Sequence, residues 1–338
     1  ELHLSIRRQR QMCIRDRIYT DEGIVGYGES GAWGFLEPSA SAIDKFGRYL
    51  VGKNPLTIEH HWQYMYRFSH FRGAAIMGAI SALDIALWDI AGKYFGVPSY
   101  QLLGGKTRDK ARVYYHVFGN TKQKLIDGII DAKAQGFTAV GHLTPFLDES
   151  REIPYFKTHA DMINDAIDTV RSYREAVGNS VDLCIEIHRK LNPAEAVVLA
   201  RGIEQFHPLF YEDPILPDNF DAMGLVAERI SIPIATGERF HSIHEFDMLL
   251  KRGAVQYVRP DVCLAGGISH SKKIAALAEA NYVNVVPHNP LSPDSTAACI
   301  QLAACIPNFA IQELPNGENI PPKSEIVKSS LLVEDGFF

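Results

Sequence analysis

The sequence predicts an α/β fold made of a (β/α)8 barrel and a smaller α+β module. After Lys110, short apolar runs alternate with amphipathic stretches eight times. This regularity favours a closed barrel of parallel strands over an open sheet. Before Lys110, the pattern is a hairpin followed by stretches of helical periodicity. The length of 338 residues suits a barrel of about 250 residues with an attached module.

The module is predicted over residues 1–110. From Ile18, the sequence IYTDEGIVGYGES indicates a strand, a turn at residues 21–23 and a second strand. Apolar residues then recur at helical spacing over residues 55–66 and, more clearly, over residues 74–94. A hairpin followed by two helices is an α+β arrangement.

Residues 7–17, RRQRQMCIRDR, differ from the regular patterning around them. The stretch carries five arginines and has neither strand nor helix periodicity. One interpretation is a basic arm, although a single basic arm on an acidic chain is a weak signal of function. The stretch also resembles translated vector or adapter sequence, so a non-native origin stays open. The fold prediction does not depend on it.

The barrel is predicted over residues 111–313. Its candidate strands are residues 113–118, 137–143, 181–187, 209–212, 232–236, 255–258, 283–286 and 310–312. Among the intervening helices, the one that begins at Pro193 has Asn192 as a good N-cap. Residues 314–338 contain no ninth unit, and we expect this tail to pack back on the first module.

Composition and charge argue against several classes of protein. The net charge of −6 lacks the basic balance of a nucleic-acid binder. No apolar run reaches the roughly 18 residues of a membrane span, and no signal peptide is visible. The five cysteines form no CxxC pair, and we expect Cys184 and Cys263, inside strand-like runs, to be buried thiols. These features predict a cytoplasmic protein without a nucleic-acid or membrane partner.

Three glutamates stand at consecutive strand ends. Glu186, Glu212 and Glu238 end the third, fourth and fifth candidate strands, and each lies 26 residues after the one before. Chemistry in this fold sits at the carboxyl ends of the strands. Three clustered carboxylates would repel one another, and a hard divalent cation relieves that repulsion. All-oxygen ligands indicate Mg²⁺ rather than zinc. Three separate solvated or ion-paired glutamates are the weaker interpretation.

Several motifs, in order, carry a resemblance to a known family. They are TDEGIVGYGES, AISALDIALWDIAGK with PSYQLLGG, YEDP, TGERF and RPDVCLAGGI. From about Ile18 onward the chain resembles the mandelate racemase branch of the enolase superfamily. The resemblance implies a barrel capped by an α+β domain from both chain ends, and abstraction of a proton next to a carboxylate with Mg²⁺ stabilising the enediolate. The first metal ligand is usually Asp, so Glu186 leaves the ligand geometry open.

The second strand lacks the Lys-x-Lys pair that many relatives carry. Its sequence is AVGHLTPF, with Gly141 and Leu143 at the positions expected to point inward. The absence of a lysine base disfavours the racemase and lactonising activities that need one. His142 lies between these residues, and strand alternation is expected to turn it away from the barrel mouth. We interpret it as a packed histidine or as one that contacts a metal ligand without binding the metal.

Two other histidines are better candidates for proton transfer. His188 follows Glu186 by two residues and therefore faces the same way. His288 ends the seventh strand, across the barrel, and Asp261 at the end of the sixth strand is placed to fix its tautomer. Each histidine alone has a structural alternative. Two of them on opposite sides of a metal site, one with an aspartate partner, favour catalysis.

This arrangement resembles the acid-sugar dehydratases, in particular those of the D-galactonate type. The resemblance implies that His288 removes the C2 proton of an aldonate and that His188 protonates the departing C3 hydroxyl. D-galactonate would yield 2-dehydro-3-deoxy-D-galactonate. Glu313 matches the family residue that hydrogen-bonds the enediolate, with a barrel-end salt bridge as the alternative. A D-mannonate or D-gluconate dehydratase, a racemase or epimerase, and an inactive member stay open.

Substrate contacts are expected from two parts of the chain. Arg239 and His241 follow the last predicted metal ligand, and Trp33 and Arg72 lie on loops of the capping module, where this family sets specificity. We expect a small sugar acid as substrate. The apolar capping helices favour a homo-oligomer.

Overall fold

The computed structural model describes most of the chain. The residues that it describes are 3–6, 14–68, 70–147, 157–188, 191–315, 317–319, 321, 323–329 and 331–338. An antiparallel three-stranded sheet opens the fold, formed by β1 (His3–Ile6), β2 (Ile14–Tyr19) and β3 (Val25–Ser30). Four helices follow: α1 (Leu36–Leu50), α2 (Ile58–Phe68), α3 (Ala74–Phe95) and α4 (Ser99–Leu102). This module confirms the predicted α+β capping arrangement.

The irregular stretch at residues 7–17 lies partly inside β2. Residues 14–17 pair with β3, with Asp16 opposite Gly28. They form a strand although their sequence shows no strand periodicity. Pairing with β3 overrides the local sequence preference, as tertiary context often does. Residues 7–13 lie outside the described part of the chain.

Helix α3 is the centre of the capping module. By length and composition it is apolar enough to cross a membrane, but 72% of its most apolar window is buried inside the protein, as in a core helix. Strand β3 packs directly on it through two glycines. A Cβ at Gly26 or Gly28 would lie 2.2 Å from the Ala86 carbonyl oxygen or 1.9 Å from that of Ala82. The close approach therefore requires glycine at both positions.

Eight parallel strands form the barrel, and the predicted fold class is confirmed. The strands are β4 (Val113–His116), β5 (Ala139–Leu143), β6 (Asp182–Glu186), β7 (Phe210–Glu212), β8 (Ile234–Thr236), β9 (Tyr257–Val258), β10 (Asn284–Val285) and β11 (Gln312–Leu314). They pair in chain order, and β11 pairs with β4. A parallel bridge between Val285 and Phe309, just before β11, closes the remaining gap.

Helices between the strands cover the outside of the barrel. They are α5 (Lys122–Ala134), α6 (His159–Val177), α7 (Pro193–Ile203), α8 (Phe220–Ala227), α9 (Ile243–Leu250), α10 (Gly267–Ala280) and α11 (Pro293–Cys305). The predicted N-cap Asn192 forms a capping box with Glu195 at the start of α7. Buried apolar residues fill the space between strands and helices, and a smaller cluster around Tyr114 and Phe210 fills the barrel interior. Cys184 and Cys263 are buried free thiols, as expected.

Strand β5 departs from the expected alternation. Its register with β6 shifts between Val140 and Leu143, and His142 has a left-handed backbone with φ of 59°. Gly141 points inward, toward the Tyr114 ring. Leu143 instead packs in the core between strands and helices, so the prediction that it points inward is wrong. A local irregularity of this kind reverses the faces of the residues that follow it.

Two carboxylates of the capping module bind the amino ends of barrel helices. The backbone N–H of Ser269 in α10 donates to Asp84 of α3 at 3.0 Å. At the start of α11, the Ser292 hydroxyl and the Ser295 N–H donate to Glu29 of β3, at 2.6 Å and 3.0 Å. A negative group at a helix amino end is stabilising. These contacts fix the capping module against the side of the barrel that carries the loops after β9 and β10.

The C-terminal segment contacts the barrel. Phe338 exchanges backbone hydrogen bonds with Ala111, and the Val113 N–H donates to the Gly336 carbonyl at 2.9 Å. Val333 and Phe338 pack against the barrel core. We expected this tail to pack on the capping module. Among the described residues, the tail contacts β4 and, through Glu318, Thr296 of α11. Packing of the tail on the capping module stays a prediction.

Candidate active site

The three glutamates Glu186, Glu212 and Glu238, here called the glutamate trio, meet at the mouth of the barrel. Glu186 and Glu212 end neighbouring strands and are partners in the strand register. Glu238 follows β8 after Gly237, which has φ of 129°, and a Cβ there would lie 2.6 Å from the ring of Phe246. One carboxylate oxygen of each glutamate lies within 4.8 Å of those of the other two. The structure thus brings the predicted ligand residues together.

A fully buried arginine links the trio to the last strand. The Nε atom of Arg259 lies 2.7 Å from Glu212, and one terminal nitrogen donates to Glu313 at 2.7 Å. The other terminal nitrogen donates to the Tyr114 hydroxyl at 2.5 Å. The sequence pattern alone did not predict a role for Arg259. The sequence does place a charged residue at position 259, directly after the apolar sixth strand. A charge that is buried at such a position needs a partner of opposite charge.

The glutamate trio fits a hard divalent cation by the chemistry of its donors. All donors are carboxylate oxygens, which Mg²⁺ prefers. Burial raises the pKa of Glu212 well above its usual range, and the charges of Glu186 and Glu238 add to this rise while that of Arg259 opposes it. A cation between the three carboxylates would relieve the repulsion that raises this pKa.

Both oxygens of Glu186 are held by histidines. The Nδ1 atom of His142 lies 2.8 Å from one oxygen, and the Nε2 atom of His188 contacts the other. Burial alone would raise the pKa of Glu186, but the hydrogen bonds and charges of the two histidines lower it below the usual range. The prediction that His142 turns away from the mouth is wrong, because the irregularity in β5 redirects it. The structure places His188 beside Glu186, as expected.

His288 and Asp261 form a hydrogen-bonded pair on the other side of the site. The two residues lie opposite each other in a parallel bridge, and His288 Nδ1 donates to Asp261 at 2.9 Å. The Nε2 atom lies 3.6 Å from Glu238. Burial would lower the pKa of His288, but the charges of Glu313, Glu238 and Asp261 raise it to about 9. Because Asp261 holds Nδ1, Nε2 is the nitrogen that can exchange a proton with a bound molecule.

Glu313 is enclosed by hydrogen-bond donors. Arg259 and the backbone N–H of Asn289 donate to it at 2.7 Å, and His116 Nε2 lies 2.7 Å from its other oxygen. Burial would raise the pKa of Glu313, but the charges of Arg259, His288 and His116 lower it well below the usual range. An ionised carboxylate only accepts hydrogen bonds. The contacts therefore favour the barrel-end ion pair over a hydrogen bond donated by Glu313 to an enediolate.

A cavity of about 1080 Å³ opens at the barrel mouth. The glutamate trio, His188, His288, Asp261 and Glu313 line it, and so do three of the predicted substrate contacts, Arg239, His241 and Trp33. Trp33 is half exposed and comes from the capping module. Arg72 is not among the lining residues, because its guanidinium lies over the ring of Tyr66, 4.5 Å from the centroid. His116 and His142 also line the cavity. The sequence predicted neither as a catalytic residue, a metal ligand or a substrate contact.

Comparison with known proteins identifies the family. The enolase C-terminal domain-like model matches residues 142–338, and the mandelate racemase/muconate lactonizing enzyme N-terminal domain model matches residues 3–104. The chain belongs to the mandelate racemase/muconate lactonizing enzyme family of the enolase superfamily. Members of this superfamily bind a divalent metal, and the glutamate trio is the acidic site that the structure offers for one.

Named relatives of this family member are dehydratases. This chain is 37% identical over 320 residues to a D-galactonate dehydratase of Verminephrobacter eiseniae strain EF01-2, and the match covers 94% of this chain and 82% of the relative. This chain is also 40% identical over 298 residues to a D-galactonate dehydratase of Xanthomonas oryzae pv. oryzae strain PXO99A, and the match covers 88% of this chain and 76% of the relative.

A solved structure has the same fold as this chain. It is a candidate galactarate dehydratase of Agrobacterium radiobacter with bound sodium and L-malate, and it superposes with a TM-score of 0.90 at 30% identity, covering 100% of this chain and 88% of that one. Together, these similarities support a carbon–oxygen hydro-lyase as the enzyme class.

Proposed function

We propose that the protein is a Mg²⁺-dependent dehydratase of a sugar acid, with D-galactonate as the first substrate to test. The observation that carries the proposal is the placement of His188 and the His288–Asp261 pair around one cavity that the glutamate trio also lines. The names of the relatives support the sugar-acid class.

His288 is the proposed base. Asp261 accepts the hydrogen bond from Nδ1 at 2.9 Å, so the tautomer with a free lone pair on Nε2 is the favoured neutral form. This nitrogen takes the proton from C2 of the aldonate, and the electron pair of the C–H bond moves into an enediolate. When bound by the glutamate trio, a divalent cation would stabilise that negative charge and offset the carboxylate charges that raise the pKa of His288.

His188 is the proposed acid. It lies beside Glu186 on the opposite side of the cavity, and its Nε2 atom contacts that carboxylate. As the enediolate collapses, the C2–C3 double bond forms, the C3–O bond breaks and His188 delivers its proton to the leaving hydroxyl, which departs as water. The enol then tautomerises to the 2-keto-3-deoxy acid. General acid assistance is needed because hydroxide is a poor leaving group.

Arg239, His241 and Trp33 are the proposed substrate contacts, since all three line the cavity. Arg239 offers a cation for the substrate carboxylate, and Trp33 covers the entrance from the capping module. We further infer a cytoplasmic location, because the thiols described are free, and a homo-oligomeric assembly. Neither inference affects the chemistry.

A stereochemical panel of aldonates tests the proposal. Keto-acid formation is measured with semicarbazide, with and without Mg²⁺, and exchange of the C2 proton is measured in deuterium oxide by NMR. We expect D-galactonate to give keto acid only in the presence of Mg²⁺. Exchange at C2 without keto acid would indicate a racemase or epimerase instead. Neither exchange nor product from any member of the panel would indicate an inactive family member.

A further inference from the structure

A second group of metal-binding side chains lies beside the glutamate trio. His142 Nδ1, a carboxylate oxygen of Glu186 and His188 Nε2 all lie within 4.8 Å of one another. The two imidazole nitrogens converge on Glu186 from different strands, one from β5 and one from the end of β6. Glu186 belongs to both groups, since its carboxylate also lies within 4.8 Å of those of Glu212 and Glu238.

The backbone at both histidines is held in an unusual conformation. His142 has φ of 59° and His188 has φ of 56°. This left-handed region is unfavourable for a residue with a Cβ. Such strain concentrates where a side chain must be aimed at a ligand. In this case the strained backbone aims both imidazoles at the same carboxylate.

Neighbouring rings hold His142 in place. The His116 ring stacks on it with a centroid distance of 5.2 Å and an interplanar angle of 18°, and the Phe118 ring lies 4.8 Å away. The His188 ring meets it edge to face at 5.2 Å. Glu186 itself is buried. Rigid support of this kind reduces the entropy lost when a ligand binds.

We propose that His142, Glu186 and His188 form a second metal site that takes a divalent transition metal such as Zn²⁺. Imidazole nitrogens suit zinc, whereas the all-oxygen glutamate trio suits Mg²⁺. With zinc–ligand distances of about 2.0–2.1 Å, tetrahedral ligand atoms lie roughly 3.4 Å apart. The His142–Glu186 separation is 2.8 Å, and all three ligand atoms lie within 4.8 Å of one another.

The length of Glu186 explains how one carboxylate can belong to both groups. Its side chain has one more methylene group than the Asp that usually occupies this position in the family, so its oxygens extend to the histidines while the residue remains at the strand end.

Occupation of this site has a consequence that rests on the proposed function. A metal on His188 Nε2 uses the lone pair that would otherwise carry the proton to the leaving hydroxyl. Zn²⁺ should therefore inhibit dehydration supported by saturating Mg²⁺. Unchanged dehydration at a Zn²⁺ concentration that fills the site would overturn this consequence.

Metal binding by the full-length protein, freed of metal with a chelator, tests the site itself. Calorimetric titrations with Zn²⁺ and with Mg²⁺ compare the wild type with His142→Ala, with Glu238→Gln and with the matched control His241→Ala. His241 lines the same cavity but lies outside the second group. Co²⁺ replaces Zn²⁺ in a parallel titration, because four-coordinate Co²⁺ with nitrogen ligands absorbs visible light more strongly than six-coordinate Co²⁺ with oxygen ligands.

The two variants should separate the two metals. His142→Ala should weaken Zn²⁺ at least about 100-fold and remove the strong Co²⁺ band, since losing a ligand costs more than the roughly 10–100-fold of an outer-shell change. Glu238→Gln should weaken Mg²⁺ and keep both the Zn²⁺ affinity and the Co²⁺ band, and His241→Ala should keep both metals. Parallel loss of both metals in either variant, or full Zn²⁺ affinity in His142→Ala, would overturn the proposal. These outcomes do not depend on whether any aldonate is dehydrated.

Discussion

Replacing Asp16 by leucine is expected to stabilise the protein, and the gain should grow with pH. Asp16 shares a face of β2 with Ile18, which packs in the core of the capping module. It is fully buried, and neither carboxylate oxygen has a hydrogen-bond partner among the described residues. Leucine has the same branching as aspartate but carries no polar atoms, so it suits this position better.

The size of the gain follows from the pKa of Asp16. Burial, together with the charge of Asp44, raises it from 3.8 to about 7. A raised pKa means that ionisation disfavours the folded state, so the penalty appears as pH rises above 4 and is complete above 7. At about 1.4 kcal/mol per pH unit, it amounts to about 2 kcal/mol at pH 5 and about 4 kcal/mol at pH 8.

Urea unfolding followed by circular dichroism at pH 5 and pH 8 measures this difference. Asp16→Asn is the matched control, because it is uncharged at both pH values but keeps a buried polar group. Both variants should remove the pH-dependent part of the penalty, and only Asp16→Leu should also gain apolar burial. If the wild type and Asp16→Leu differ by the same free energy at both pH values, Asp16 does not ionise in a buried environment and the reasoning fails.

Four further predictions concern the active site and its supports. His288→Asn should abolish both C2 exchange and keto-acid formation, lowering kcat by at least about 1000-fold; retained exchange would mean that the base is another residue. Arg259→Met should lower the free energy of unfolding in urea by about 3–5 kcal/mol, because it leaves Glu212 and Glu313 buried without their cation; a loss below about 1 kcal/mol would contradict the buried ion pairs. Glu29→Gln should cost about 1–2 kcal/mol in thermal denaturation through weaker binding to the amino end of α11, and an unchanged Tm would show that the contact is not stabilising. Mg²⁺ at 100 times its Kd should stabilise the chelator-treated protein by about 3 kcal/mol, visible as a rise in Tm that Na⁺ at equal ionic strength does not give.

The barrel and the glutamate trio could be predicted because they depend on regular patterns. Each strand is a short apolar run, and a helix of ordinary length separates it from the next, so strand ends recur at one rim of the barrel. Glu186 and Glu212 end their strands, and Glu238 follows its strand after Gly237. The same regularity placed His288 and Asp261 on neighbouring strands, where they form the hydrogen bond that the sequence predicted.

The orientation of His142 could not be predicted because alternation holds only in a regular strand. One register shift in β5 moves His142 into the cavity and Leu143 out of the barrel interior. Nothing in AVGHLTPF marks the shift, since His is not a residue that prefers a left-handed backbone as strongly as Gly. The prediction that Arg72 contacts the substrate was not met for a different reason. A loop position near the site does not determine which neighbour a side chain contacts, and the Arg72 guanidinium lies over the Tyr66 ring.

Charge balance at the barrel mouth connects these observations. Seven carboxylates line the cavity, and five of them surround the proposed reaction centre, namely Glu186, Glu212, Glu238, Asp261 and Glu313. Arg259 supplies one permanent positive charge to Glu212 and Glu313. Buried carboxylates in excess of cations must gain protons, attract protons to neighbouring histidines or bind a metal. The raised pKa values of Glu212 and His288 are the first two responses, and both would be reversed by a divalent cation at the trio. The departure from Asp at Glu186 therefore does not weaken the case for a metal, because the excess of negative charge comes from the whole rim and not from one ligand.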